Sequence, residues 1–264
     1  MQIDWGLLLL RGTLLFYALA LVNTFVPVLA GSRRSARLTP WFAASGALLH
    51  TGALIALGVA LGRCPLATLP EVLSILAWTT ALVYLILVWR FRLEVLHAII
   101  LPVIVTVLLV SFLLPEGVAP MAGRISPSLL RVHITVIVLG VAALCITFAA
   151  SLVYVLVDRA LKAKRPARFF LALPSLERCD SICRTSLLWA FPLLTLGIIT
   201  GSIVSVALTG HYWSGRSREG LAILAWVILA GVVVARLGWG WRGRKAAILT
   251  ILGFAAVFLR MLGI

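Results

Sequence analysis

The amino-acid sequence predicts an all-α fold: a polytopic transmembrane helix bundle of about eight spans, with both termini non-cytoplasmic. Three observations lead there. Of 264 residues, 62% are hydrophobic and only 12% charged, and the mean hydropathy is +1.14. A soluble domain keeps roughly a quarter of its residues charged, so lipid must cover much of this surface. The apolar residues fall in runs close to the ~20 that one helix needs to cross a bilayer core. The Lys and Arg residues between runs alternate in density, as loops on opposite sides of a membrane do.

The runs, in chain order, are Trp5–Ala30, Trp41–Gly62, Val72–Trp89, Leu96–Leu114, Leu129–Val157, Thr185–Leu208, Leu221–Arg236 and Ala246–Leu262. Arg33, Arg34 and Arg37 follow the first run, and Arg90 and Arg92 the third. The fifth is followed by Arg159, Lys162, Lys164, Arg165, Arg168, Arg178 and Arg184, the seventh by Arg242, Arg244 and Lys245. The intervening loops are poorer in cations, with Arg63, Arg124, Arg216 and Arg218 as exceptions. The cation-rich loops are therefore expected in the cytoplasm, and residues 63–71, 115–128 and 209–220 outside. The longest loop, 158–184, is expected to prolong the fifth helix and then break at Pro166 or Pro174. No internal repeat or soluble domain is evident. Residues 1–264 are thus expected to form a single integral membrane domain of the cell inner (plasma) membrane. Arg11 follows the start of the first apolar run, and no short apolar stretch ends in a small-residue cleavage site, so the N-terminus does not read as a cleavable signal.

The formal net charge of +15 would suggest nucleic acid in a soluble protein. Here the cations sit in loops and none interleaves with aromatic residues as a stacking platform would. The expected surroundings are a lipid bilayer, with no nucleic acid. The eight carboxylates lie mostly near span ends, and no serine–histidine–acid, paired-carboxylate or phosphate-loop pattern stands out. No enzyme chemistry is expected. A chain of buried acids, as in ion-coupled pumps, is missing, and so is the inverted repeat of a solute transporter. Cys145 lies in an apolar run, while Cys179 and Cys183 share a helix face; two thiols without a nearby histidine are a weak metal signal. Most of the nine tryptophans, Trp226 among them, read as an interfacial belt, with Trp213 the one that has another reading.

The four histidines carry more information, because an imidazole in lipid needs a partner. His133 lies near the outer end of the fifth span, and His211 in the next external loop beside Tyr212 and Trp213. If their helices pack together, both imidazoles approach from one side. Neutral imidazoles on opposite faces of a flat haem complete the axial positions of its iron, and neighbouring aromatic rings pack on the porphyrin. The simpler alternative is an interfacial hydrogen bond for each. His50, mid-span, reads as a polar pocket, a helix–helix hydrogen bond or a ligand; His97, at a span start, reads as solvated.

Several segments, in order, resemble the cytochrome c assembly family. Gly62-Arg63-Cys64-Pro65-Leu66 with Glu71 is similar to a Gly-His-Phe-Pro-Leu stretch and its following Glu. Val132-His133-Ile134 and Leu139-Gly140-Val141-Ala142-Ala143-Leu144 resemble the helix after the first external haem histidine. Leu194-Thr195-Leu196-Gly197-Ile198-Ile199-Thr200-Gly201 is similar to the helix entering the family's Trp-rich loop, and Gly210-His211-Tyr212-Trp213 with Arg218-Glu219 resembles a reduced form of that loop. Trp241-Arg242-Gly243-Arg244 and Gly253-Phe254 resemble the closing segments. The departures are Gly215 and Arg216 at later Trp and Asp positions, Val234 at a membrane histidine and Arg63 at the Gly-His-Phe-Pro histidine. The second external histidine falls beyond Gly263. These departures place the likeness nearest the HemX-like and YpjD-like branch.

The resemblance implies a protein that binds haem b at the outer face and serves cytochrome c biogenesis with other assembly proteins and apocytochrome c. It implies His133 as one iron ligand, with His211 the candidate second. Tyr212 and Trp213 would lie on the porphyrin, Arg216 or Arg218 on its propionates, and His50 has a counterpart in the HemX-like branch. The alternative is a HemX-like regulator of haem synthesis, acting through glutamyl-tRNA reductase docked on the basic fifth loop.

Overall fold

The computed structural model describes residues 5–30, 38–66, 68–91, 96–115, 127–163, 174–212 and 217–262. Among these the secondary structure is helical throughout. The helices are α1 (Trp5–Ala30), α2 (Thr39–Leu61), α3 (Leu69–Phe91), α4 (His97–Leu113), α5 (Pro127–Lys162), α6 (Leu176–Thr209), α7 (Ser217–Gly238) and α8 (Arg244–Leu262). The apolar runs set them: every expected span reappears as one helix. Six, namely α1, α2, α3, α5, α6 and α7, are long and apolar enough to cross a membrane. α4 has 17 residues, at the lower end of that range. α8 carries Arg244, Lys245 and Arg260 within its 19 residues.

Two helices run past their apolar stretches. α5 has 36 residues and α6 has 34. At 1.5 Å per residue each exceeds the ~30 Å bilayer core by about 20 Å. The chain was expected to continue α5, and it does so to Lys162, with the Lys162–Asp158 pair at 2.9 Å one turn apart. Pro166 lies outside the described residues; Pro174 immediately precedes the start of α6. There Ser175 caps the helix, its hydroxyl accepting from the Arg178 N–H at 3.3 Å. α6 therefore starts nine residues before the expected Thr185.

The chain divides into two compact units, Met1–Pro120 and Met121–Ile264. In the first, α1 packs on α2, α2 on α3, α3 on α4 and α4 back on α1; in the second, α5 to α8 close the same circuit. Each unit is thus a four-helix bundle with its own interior. Apolar side chains also face outwards: Leu48 and Val59 on α2 are 74% and 79% exposed. Such groups belong against lipid.

Polar side chains inside the first unit are paired. His50, fully buried, places Nε2 2.9 Å from Ser74 Oγ and Nδ1 3.5 Å from Tyr17 OH. Gly46 admits the Tyr17 ring, since a Cβ there would lie 2.7 Å from it. His97 corrects the sequence expectation. It is not solvated but buried, because Tyr84 OH hydrogen-bonds its Nδ1 and closes over it edge-on. Between α2 and α3, Arg63 makes a two-pronged ion pair with Glu71, at 2.7 and 2.8 Å. That hydrogen-bonded carboxylate raises the Arg63 guanidinium above its ordinary pKa.

Candidate functional site

The second unit contains a cavity of about 210 Å³ between its four helices. α5 contributes His133, Ile137 and Val141, spaced four apart and so stacked on one helix face. α6 contributes a wall of small residues that includes Gly197, Gly201 and Ser205. Trp226 and Glu219 come from α7, Arg260 from α8, and Tyr212 from the segment after α6.

Close approach of α5 and α6 fixes the imidazole. A Cβ on Gly201 would lie 2.9 Å from His133 Cε1, so the ring lies flush on the α6 backbone there. A Cβ on Gly197 would lie 2.6 Å from Ile137, one turn further along. Deeper in the interface Thr147 donates to Ser186 Oγ at 2.8 Å. The His133 ring stays partly exposed to the cavity.

His133 Nδ1 lies 2.9 Å from Thr200 Oγ1, and the Thr200 hydroxyl donates to the Leu196 carbonyl at 2.7 Å. A hydroxyl has one hydrogen. When that hydrogen goes to Leu196, Thr200 accepts from the ring; in that tautomer Nδ1 carries the proton and the neutral imidazole keeps its lone pair on Nε2. A second group holding one ring nitrogen is how metal-ligating histidines are oriented.

The remaining wall is apolar with a few polar points. Trp226 stacks on Phe191, with centroids 5.7 Å apart, and its Nε1 donates to Thr195 at 2.9 Å. The sequence reading left Trp226 in the interfacial belt; the fold puts it on the cavity wall. Glu219 and Arg260 are the charged residues of the lining. The sequence reading overlooked both Arg260 and Thr200. An arginine near the end of an apolar helix was the available signal for the first; nothing local marks Thr200.

Of the residues singled out from sequence, His133, Tyr212 and Glu219 share this cavity. His211 is exposed and its side chain is not part of the lining; its backbone carbonyl accepts from Ser205 at 3.0 Å. Gly210 ends α6 with φ +78°, a conformation that suits glycine, and turns the chain toward His211. His50 belongs to the other unit. Trp213 and Arg216 lie outside the described residues, as does the Arg218 side chain. Among the described residues no group of three or more His, Cys, Asp or Glu is placed to hold a metal ion.

A second polar cluster joins the far ends of α5 to α8. Arg236, with a side chain 4% exposed, pairs with Asp180 at 3.1 Å and donates to Cys183 Sγ at 3.4 Å. Cys183 also lies 3.1 Å from Ser151 Oγ, and Asp180 accepts the Gly243 N–H at 3.5 Å. Cys179 and Cys183, one turn apart on α6, are both buried.

Residues 66–264 match the family described as Cytochrome C assembly protein. Over 95% of its length the chain is 29% identical to the cytochrome c biogenesis protein CcsA of Prochlorococcus marinus strain NATL1A, and 30% identical to that of strain NATL2A, covering 88% of each. It is 29% identical to CcsA of Chlamydomonas reinhardtii, over 77% of this chain and 58% of that one. Among solved structures it is similar to the cytochrome c haem lyase CcmF. The TM-score is 0.72 at 19% identity, over 99% of this chain and 47% of the other, so it spans about half the length of that protein. The chain belongs to the cytochrome c assembly protein family and is a multi-pass membrane protein of cytochrome c biogenesis.

Proposed function

We propose that this protein binds haem b in the His133 cavity and delivers it, at the outer face of the membrane, for attachment to apocytochrome c in concert with other assembly proteins. The observation that carries the reading is the His133–Thr200 pair beside the cavity. Thr200 engages Nδ1, and Nε2 is the other nitrogen of a ring that borders open space.

The donor set fits such a cargo. Haem iron brings four nitrogens of its own and asks the protein for one or two axial ligands, so one well-held imidazole is enough to begin. Pockets that enclose whole ligands run from about 300 to 1,000 Å³. A cavity of about 210 Å³ suits one edge of the macrocycle, with the rest lying past its mouth. Trp226 and Tyr212 supply aromatic surface. His211, adjacent in sequence to Tyr212, is the candidate second ligand. Trp213, Arg216 and Arg218 are the candidates for covering the exposed edge. This partial seat suits a carrier, which must release what it binds. The centre of the basic fifth loop, residues 164–173, on which the alternative role through glutamyl-tRNA reductase rests, lies outside the described residues.

A visible absorption spectrum of the detergent-purified protein, before and after haem loading, tests the reading. A Soret band that survives gel filtration with the protein supports it. A protein that remains colourless after loading refutes it.

A further inference from the structure

We propose that Arg260 is the carboxylate-binding residue of the cavity, so that its cargo enters with an acid-bearing edge turned toward α8. The proposal rests on the haem reading above and deepens it by naming which edge is recognised and which residue recognises it.

Arg260 lies in the last turn of α8, and its side chain lines the same cavity as His133. A guanidinium on an apolar wall is costly and needs a return. Part of that return is structural, because a cation suits a helix C-terminus. Such a role requires no side chain along a cavity, yet Arg260 lies along one. Its five N–H donors form a planar fork that matches a carboxylate. Arg260 and Glu219 each have interactions of their own, but five donors serve more than one acceptor. Glu219, in the first turn of α7, has its charge favoured by that helix terminus. Apart from these two, the lining is apolar or neutral. Among the described residues of the lining Arg260 is the one cation, so a cargo carboxylate inside the cavity meets its positive partner there. The iron-side nitrogen comes from α5 and the acid-side cation from α8, helices that pack directly on each other.

The test compares haem with its dimethyl ester, in which both acids are masked, in titrations of the full-length protein in one detergent. Wild type, Arg260→Gln, Arg260→Lys and His133→Ala are measured alike. Comparing the haem-to-ester ratio between proteins cancels unequal partition into micelles. A charge-assisted hydrogen bond accounts for about tenfold or more in affinity. The proposal expects the wild-type ratio to fall by about that factor in Arg260→Gln and to be partly kept in Arg260→Lys. His133→Ala should weaken both ligands alike. Haem binding with an unchanged ratio in Arg260→Gln overturns the role of Arg260 while leaving the haem site standing. Failure of wild type to bind either ligand overturns both. The lysine variant guards against misreading a folding defect, since it preserves the charge at the helix end.

Discussion

His133 on α5 and Thr200 on α6 are joined by a 2.9 Å hydrogen bond, and the Thr200 hydroxyl also reaches the Leu196 carbonyl at 2.7 Å. Sixty-seven residues apart in sequence, they form the contact through which the fold holds one nitrogen of the ring.

Thr200→Val keeps the volume of the side chain but removes the acceptor. Nδ1 then loses the group that holds its proton, and the ring is free to turn. Groups that orient metal-binding histidines are typically worth about 10–100-fold in affinity. Haem affinity of Thr200→Val is expected to fall by about tenfold or more in an absorption titration, while Thr200→Ser stays near wild type. Equal affinities for valine and serine variants would show that the hydroxyl does not position the ring.

Gly201→Ala inserts a methyl group 2.9 Å from His133 Cε1. The ring must move into the cavity, since the helix backbone cannot retreat from its neighbour without separating α5 from α6. Overpacking of this kind costs about 1–3 kcal/mol. The expected result is a lower Tm together with a shifted or weakened Soret band. A variant with wild-type stability and spectrum would mean that the ring does not lie against α6.

How far this was legible in the sequence depended on the range of the interaction. The helices follow from composition, and seven of the eight have limits within a few residues of their apolar runs. α6 is the exception. Glu177, Arg178, Asp180 and Arg184 interrupt its apolar pattern and hide two helical turns that Ser175 begins and the Asp180–Arg236 pair holds inside. His97 was misjudged for the same reason, because its partner Tyr84 is brought to it only by the packing of α3 on α4. His133 stood out as a polar ring in a span, and the family likeness pointed to it. Its neighbours Thr200, Trp226 and Arg260 did not stand out, since each looks ordinary on its own helix.

The Arg236–Asp180 pair yields a stability prediction. Removing one partner of a buried ion pair costs about 3–5 kcal/mol, because the other charge is left uncompensated. Asp180→Ala is expected to destabilise the protein by that order in thermal unfolding, and Asp180→Ala with Arg236→Met by clearly less. A double variant as unstable as the single one would show that the pair does not act as a unit.

His50 has both ring nitrogens engaged within the first unit, by Ser74 and Tyr17. His50→Leu leaves those hydroxyls without their partner, at about 1–3 kcal/mol. Tm should fall while the amount of haem bound per folded protein stays unchanged. Loss of the Soret band at preserved stability would instead make His50 a ligand.

The most direct measurement is chemical rescue at position 133. His133→Gly removes the imidazole and leaves a space of its shape beside Thr200 and Gly201. Haem-loaded His133→Gly is expected to lack the wild-type Soret band and to regain it when free imidazole is added, while wild type is unaffected by the addition. A His133→Gly protein whose haem spectrum already equals that of wild type would contradict the assignment of His133 as the iron's ligand.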